Sequence, residues 1–128
     1  MQTLLIDDEK DPRADPLLRE LGEVHCIARS YAEGIAALAR HHWDRLLLDH
    51  DLADFSGPAG AELTGRSIVR WLAQPENRRH IPGQIICVSR NVRGIRDINA
   101  DVETLYRQPD QLLKLTQQDY ERLFGAGD

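Results

Sequence analysis

The sequence is short of cysteine, of long apolar runs and of net positive charge, and each shortage removes a class of protein. Its two cysteines, Cys26 and Cys87, make neither a disulfide framework nor a four-ligand zinc site. Both lie in apolar runs, as buried thiols in a reducing cytoplasm do. The longest apolar stretches, such as Leu46-Leu47-Leu48, are far too short to span a bilayer, so no membrane partner is expected. The N-terminus enters Thr3-Leu4-Leu5-Ile6 directly, without a basic leader or a cleavage-like site. That pattern carries no secretory signal and makes the cytoplasm the expected compartment. A net charge of −5, from 16 basic and 21 acidic residues, argues against duplex DNA, which needs a strong basic face. There is no internal repeat and no low-complexity segment.

What is present suits one soluble domain. A chain of 128 residues that is 41% hydrophobic and 29% charged can fill one core and cover it. We expect a single domain over 1–124 and a frayed tail over 125–128. Apolar runs alternate with helical patterns, the signal for an α/β fold with a parallel sheet covered on both faces. Strands are expected at Thr3–Ile6, Glu23–Ala28, Arg45–Asp49, Ile85–Ser89 and, more weakly, Val102–Tyr106. Helices are expected over Pro12–Leu21, from the Ser30-x-x-Glu33 capping box to His41-His42, from Thr64-Gly65 through Leu72, over Asn91–Ala100, and from Pro109 or Asp110 onward. The result is five strands and five helices. A loop rich in Gly, Pro and acids follows Asp49, and a polar, basic connector covers Gln74–Gly83.

The chemistry gathers at strand ends. In open parallel sheets ligands bind beyond the carboxyl ends of the strands. Here the first strand runs into Asp7-Asp8-Glu9, the third into Asp49-His50-Asp51 and the fourth into Ser89-Arg90-Asn91. An Asp after a strand also serves as a turn former or helix cap, and this reading is strongest for Asp51 and Asp54. Acids that recur at two strand ends point instead to a hard divalent cation, Mg²⁺ or Mn²⁺, able to neutralise a phosphate. Arg90, Arg93 and Arg96 recur every three residues, either as a solvated helix face or as guanidinium groups offered to a ligand. His50, between two acids, is a base, a ligand or a solvent-facing loop residue.

An acidic pair after the first strand, one Asp after the third and a Ser after the fourth resemble the receiver domains of response regulators. The resemblance implies a three-layer, flavodoxin-like sandwich: a five-stranded parallel sheet of order 2-1-3-4-5 with five helices. It also implies that Asp7, Asp8 and Asp49 hold the metal together with Asp51, which offers its backbone carbonyl, and that the Ser89 hydroxyl contacts a phosphoryl oxygen. Receivers carry a Lys directly before a Pro after the fifth strand; this chain reads Tyr106-Arg107-Gln108-Pro109, which makes Arg107 the candidate basic residue. The string Leu48-Asp49-His50-Asp51-Leu52, then Thr64-Gly65, Trp71-Leu72 and Ser89-x-Asn91-x-x-Gly94, is similar to the receiver-like branch described as cyclic-phosphate processing. That branch has a His before the Ser of the fourth strand, where this chain has Val88.

Three functions follow. In the first, the chain binds or processes a cyclic phosphate, on a small molecule or an RNA end. Asp49, Ser89 and Arg107 are then the catalytic candidates, and Ser89, Arg90, Asn91 and Arg93 bind phosphate. In the second, it is a signalling receiver phosphorylated on Asp49 by a histidine kinase and acting through a partner protein. In the third, it is a Toprim-like nuclease using Glu9 and Asp49-x-Asp51.

Overall fold

The computed structural model describes residues 1–124, with side chains described through residue 118; the expected tail over 125–128 lies outside the described residues. In chain order the elements are β1 (Thr3–Ile6), α1 (Pro16–Leu21), β2 (Cys26–Ala28), α2 (Tyr31–Arg40), β3 (Arg45–Leu48), β4 (Asp51–Asp54), β5 (Leu63–Thr64), α3 (Gly65–Ala73), β6 (Gln84–Cys87), α4 (Val92–Arg107) and α5 (Pro109–Phe124). Short 3-10 turns cover Pro58–Gly60 and Pro75–His80.

Four strands form one parallel sheet of order β2-β1-β3-β6. In the register, Leu4, Leu5 and Ile6 of β1 face Leu46, Leu47 and Leu48 of β3. Both central strands are apolar along their length because both faces are covered. Side chains alternate between the faces. Leu5 and Leu47 pack with Leu18 of α1, Val88 and the half-buried Ile86. Leu4, Ile6, Leu46 and Leu48 pack on the other side with Leu38, Ile68, Leu72, Ile98, Leu105 and Leu112. One short helix thus covers one face, and α2 to α5 cover the other. Each fully buried Leu or Ile stabilises the fold by roughly 1.5–3 kcal/mol, so most of the driving force lies on the thicker side.

Local capping sets where the helices begin. Asp15 accepts from the Leu17 and Leu18 amides at 3.0 and 3.1 Å, and Pro16 follows as the first helical residue, so α1 starts at Pro16 rather than Pro12. Ser30 Oγ accepts from the Glu33 amide at 3.2 Å, but Glu33 Oε1 reaches back to the Arg29 amide. Thr64 and Ser67 complete a reciprocal box at the start of α3.

Two expectations are corrected. Val102–Tyr106 is no fifth strand: it is the end of α4, and the main sheet of the described residues has four strands. The residues buried in α4 are Gly94, Ile98, Asp101 and Leu105, spaced four, three and four apart, which is a helical stripe. The short alternation at Val102-Glu103-Thr104 sits inside that longer period. Further, the loop after Asp49 is partly ordered as an antiparallel pair, β4 with β5, in which Ala53 takes a left-handed backbone with φ 49°. Cys26 and Cys87, free and half-buried, lie on the opposite edge strands β2 and β6, about 14 Å apart by strand spacing, and cannot bridge. No helix among the described residues is long and apolar enough to cross a membrane.

Candidate functional site

The parallel ladder continues one residue past the strand ends. The Asp7 amide donates to the Ala28 carbonyl at 3.0 Å, the Asp49 amide to the Ile6 carbonyl at 3.0 Å, and the Val88 amide to the Leu48 carbonyl at 2.9 Å. Asp7 and Asp49 are therefore held side by side on rigid, hydrogen-bonded backbone at the carboxyl edge of the sheet. One carboxylate oxygen from each of Asp7, Asp8 and Asp49 lies within 4.8 Å of the others. Asp7 is fully buried, Asp49 is 6% exposed, and Asp8 is half-buried.

Both oxygens of the Asp7 carboxylate have partners. Its Oδ1 accepts from the Glu9 and Lys10 amides, each at 2.9 Å, and its Oδ2 meets Lys10 Nζ at 2.9 Å. Lys10 Nζ also lies 3.5 Å from Asp49 Oδ2. Arg29 ties the loop down by donating from Nη1 to the carbonyls of Asp7 and Lys10 at 3.2 and 2.7 Å. Asp49 Oδ1 accepts from the His50 amide at 2.9 Å, and the Ser89 hydroxyl lies near enough to favour the charged form of the same carboxylate.

Burial and crowding shape the proton affinities here. Loss of solvent, then the neighbouring Asp7 charge, pushes both Asp49 and Asp8 above the ordinary carboxylate value. Burial works against the charge on Lys10, but the hydrogen bond to Asp7 and the Asp49 charge outweigh it and raise the ammonium above its usual value. A cluster of hard oxygen donors whose charged state is disfavoured in isolation fits Mg²⁺ or Mn²⁺.

A cleft of about 750 Å³ opens over this cluster, lined by Asp8 and Lys10, by Asp49 and Asp51, by Ser89, Arg90 and Asn91, and by the exposed Phe55. Ser89 is buried, and its Oγ accepts from the Asn91 amide at 3.0 Å. Asn91 caps α4, accepting from the Gly94 amide at 3.1 Å, so the start of a 16-residue helix faces this edge. Arg90 pairs with Asp15 at 3.0 Å. Burial works against the Asp15 charge, but the Leu18 amide and Arg90 hold its carboxyl below the usual range. Asp51 stands outside the three-carboxylate cluster: Oδ1 lies 2.9 Å from His50 Nδ1, and Oδ2 accepts from Asn91 Nδ2 at 3.3 Å. The His50 partnership draws its carboxyl below the ordinary value.

The fold therefore gathers Asp7, Asp8, Asp49 and Ser89, and sets Asp51, Arg90 and Asn91 around them. Arg93 is exposed on α4 and does not line the cleft. Arg107 is not brought there either. It ends α4 and pairs with Glu103 at 3.2 Å, while its neighbour Tyr106 donates to the Pro82 carbonyl at 2.6 Å, at the opposite end of β6. The reason is the corrected strand: a basic residue after a fifth parallel strand would reach this edge, whereas the end of a helix running back from it cannot. Lys10 and Arg29 went unread in the sequence. The signal for Lys10 was available, since it is one of only two lysines and stands three residues after Asp7.

A family model described as the cyclic-phosphate processing receiver domain matches residues 2–104. Comparison with curated proteins gives no match. The matched span contains the whole acid cluster and the cleft around it, and it stops inside α4 before Arg107. This chain belongs to the cyclic-phosphate processing receiver family.

Proposed function

We propose that the chain binds and processes a cyclic phosphate ester, on a small molecule or an RNA end, at the acidic cleft on the carboxyl edge of the sheet. The observation that carries this reading is the packing of the Asp7, Asp8 and Asp49 carboxylates within 4.8 Å of one another, beside the buried Ser89. Asp7, Asp8 and Asp49 would hold a divalent ion, Mg²⁺ or Mn²⁺. When bound, that ion supplies charge neutralisation for the phosphate and for the oxygens that gain charge during its transfer.

The protein's own groups divide the remaining work. Ser89 and the Asn91 side chain donate to phosphoryl oxygens, with the first turn of α4 behind them. Arg90 offers a guanidinium at the rim. Asp49, held at the floor of the cleft on hydrogen-bonded backbone, takes a proton from the attacking water. Water adds to phosphorus, one ring P–O bond breaks, and the departing oxygen takes up the proton that Asp49 removed, leaving a phosphomonoester and Asp49 in its starting form.

The test is hydrolysis of a 2′,3′-cyclic nucleoside monophosphate with Mn²⁺. Turnover by the wild type and its loss in Asp49→Asn support the reading. Absence of turnover together with stable Mg²⁺-dependent labelling of Asp49 by a small phosphodonor would replace it with a signalling receiver.

A further inference from the structure

The acid cluster already holds a cation. Lys10 Nζ sits 2.9 Å from Asp7 Oδ2 and 3.5 Å from Asp49 Oδ2, and the lysine side chain is only 13% exposed. Asp7 Oδ1 is taken by two backbone amides and Asp49 Oδ1 by another. Oδ2 of each residue, which no backbone amide engages, is the oxygen that Lys10 faces. A divalent ion and an ammonium placed against the same two oxygens repel each other strongly in a site with little solvent.

The backbone of Lys10 cannot give way easily. Its amide is bound to Asp7 and its carbonyl to Arg29. The side chain can, because it lines the open cleft that also holds Ser89, Arg90 and Asn91. An ammonium swung outward stays on its tether, in the space where a phosphate would lie.

We infer that Lys10 is the resident cation of this site: a divalent ion binds in exchange for its ammonium, and the displaced ammonium then meets a phosphoryl oxygen in the cleft. The inference rests on the acid cluster being the metal site of the proposed function. It explains how three carboxylates are tolerated together before metal arrives, and why a lysine three residues after Asp7 serves the site although Arg107 is remote.

The experiment is calorimetric titration of Mn²⁺ into the full chain as wild type, Lys10→Met and Lys10→Arg, followed by inorganic phosphate into each Mn²⁺-loaded protein. Lys10→Met should bind Mn²⁺ about tenfold tighter than wild type, equivalent to about 1.4 kcal/mol, and bind phosphate about tenfold more weakly. Lys10→Arg, which keeps the charge, should stay near wild type in Mn²⁺ affinity. Equal or weaker Mn²⁺ binding by Lys10→Met overturns the exchange and leaves the metal site standing. Unchanged phosphate affinity overturns the second half of the inference. If neither wild type nor variant binds Mn²⁺, the metal site itself falls, and the exchange with it. Should Lys10→Met fail to fold, the wild type decides by NMR of its lysine ammonium groups. Lys114 is the other lysine, so two signals are at issue. Saturating Mg²⁺ should shift or broaden the Lys10 signal and leave Lys114 alone; an unmoved Lys10 signal in the Mg²⁺-bound protein overturns the exchange.

Discussion

Gly65, the first residue of α3, lies so close to Asp49 that a methyl group added to it would overlap the Asp49 carbonyl oxygen and approach Ile98 Cδ1 at 2.8 Å. Its amide donates to the His50 carbonyl at 2.8 Å. The helix start therefore presses against the backbone that aims the Asp49 carboxylate. Gly65→Ala should destabilise the fold by about 1–3 kcal/mol, as overpacking does, and should weaken Mn²⁺ binding by displacing Asp49. Urea unfolding and calorimetry read the two effects; wild-type values in both would contradict the contact.

Stability of the metal-free protein should rise on mild acidification. Asp49 and Asp8 hold their protons more tightly in the folded chain than in the unfolded one, through burial and then the Asp7 charge. Between 3.8 and their raised folded values the folded state carries the extra protons, so stability falls as pH climbs through that window. Asp51, lowered by His50, and Asp54, lowered by Ser56, act oppositely: their contributions are present above 3.8 and are lost as pH falls through their folded values. Thermal unfolding in chelator should show a maximum on the acid side of neutrality, and saturating Mn²⁺ should flatten the acid-side gain. A metal-free Tm that only declines from pH 7 to pH 4 would speak against this account.

Arg107 and Arg90 should behave differently. Arg107 and its partner Glu103 are both exposed, so Arg107→Ala should change stability by less than about 1 kcal/mol and leave phosphate affinity untouched. Arg90 lines the cleft, and Arg90→Ala should weaken phosphate binding roughly tenfold. The reverse ranking in a binding assay would return Arg107 to the site.

Asp101 ties α4 to α3. It is 5% exposed and accepts from Arg66 Nε at 2.8 Å and Nη2 at 3.2 Å. Asp101→Ala leaves a guanidinium without this partner between the helices and should cost about 3 kcal/mol in urea unfolding. A loss below the error of the measurement would mark the pair as peripheral.

Phe55 stands 64% exposed beside the cleft. An exposed ring there suits the organic part of a ligand, not the phosphate. Phe55→Ala should leave inorganic phosphate affinity unchanged and raise KM for a cyclic nucleotide roughly tenfold, within the range for loss of one base–aromatic stack. Equal KM values would place the base elsewhere.

Much of this could be read in advance where burial and periodicity agree. The Leu-rich run before Asp49 and the run before Asp7 read as central strands because residues covered on both faces must be apolar throughout. The Asp7, Asp8 and Asp49 cluster followed from strand ends lying in register. Val102–Tyr106 misled because five residues hold too few turns to separate a period of two from one of 3.6. The clue lay farther back, in Gly94, Ile98 and Asp101. The expected place of Arg107 failed with that strand.

The chain's apolar spacing and its acids were enough to specify a parallel sheet and the edge at which chemistry collects, because these depend on local period and on strand direction. Which cation sits among the acids depended on contacts between segments. Lys10 reaches Asp49 only when β1 and β3 pair, and Arg107 is kept away only because α4 runs back down the sheet. Such contacts join residues far apart in the chain, and no window of sequence contains both partners.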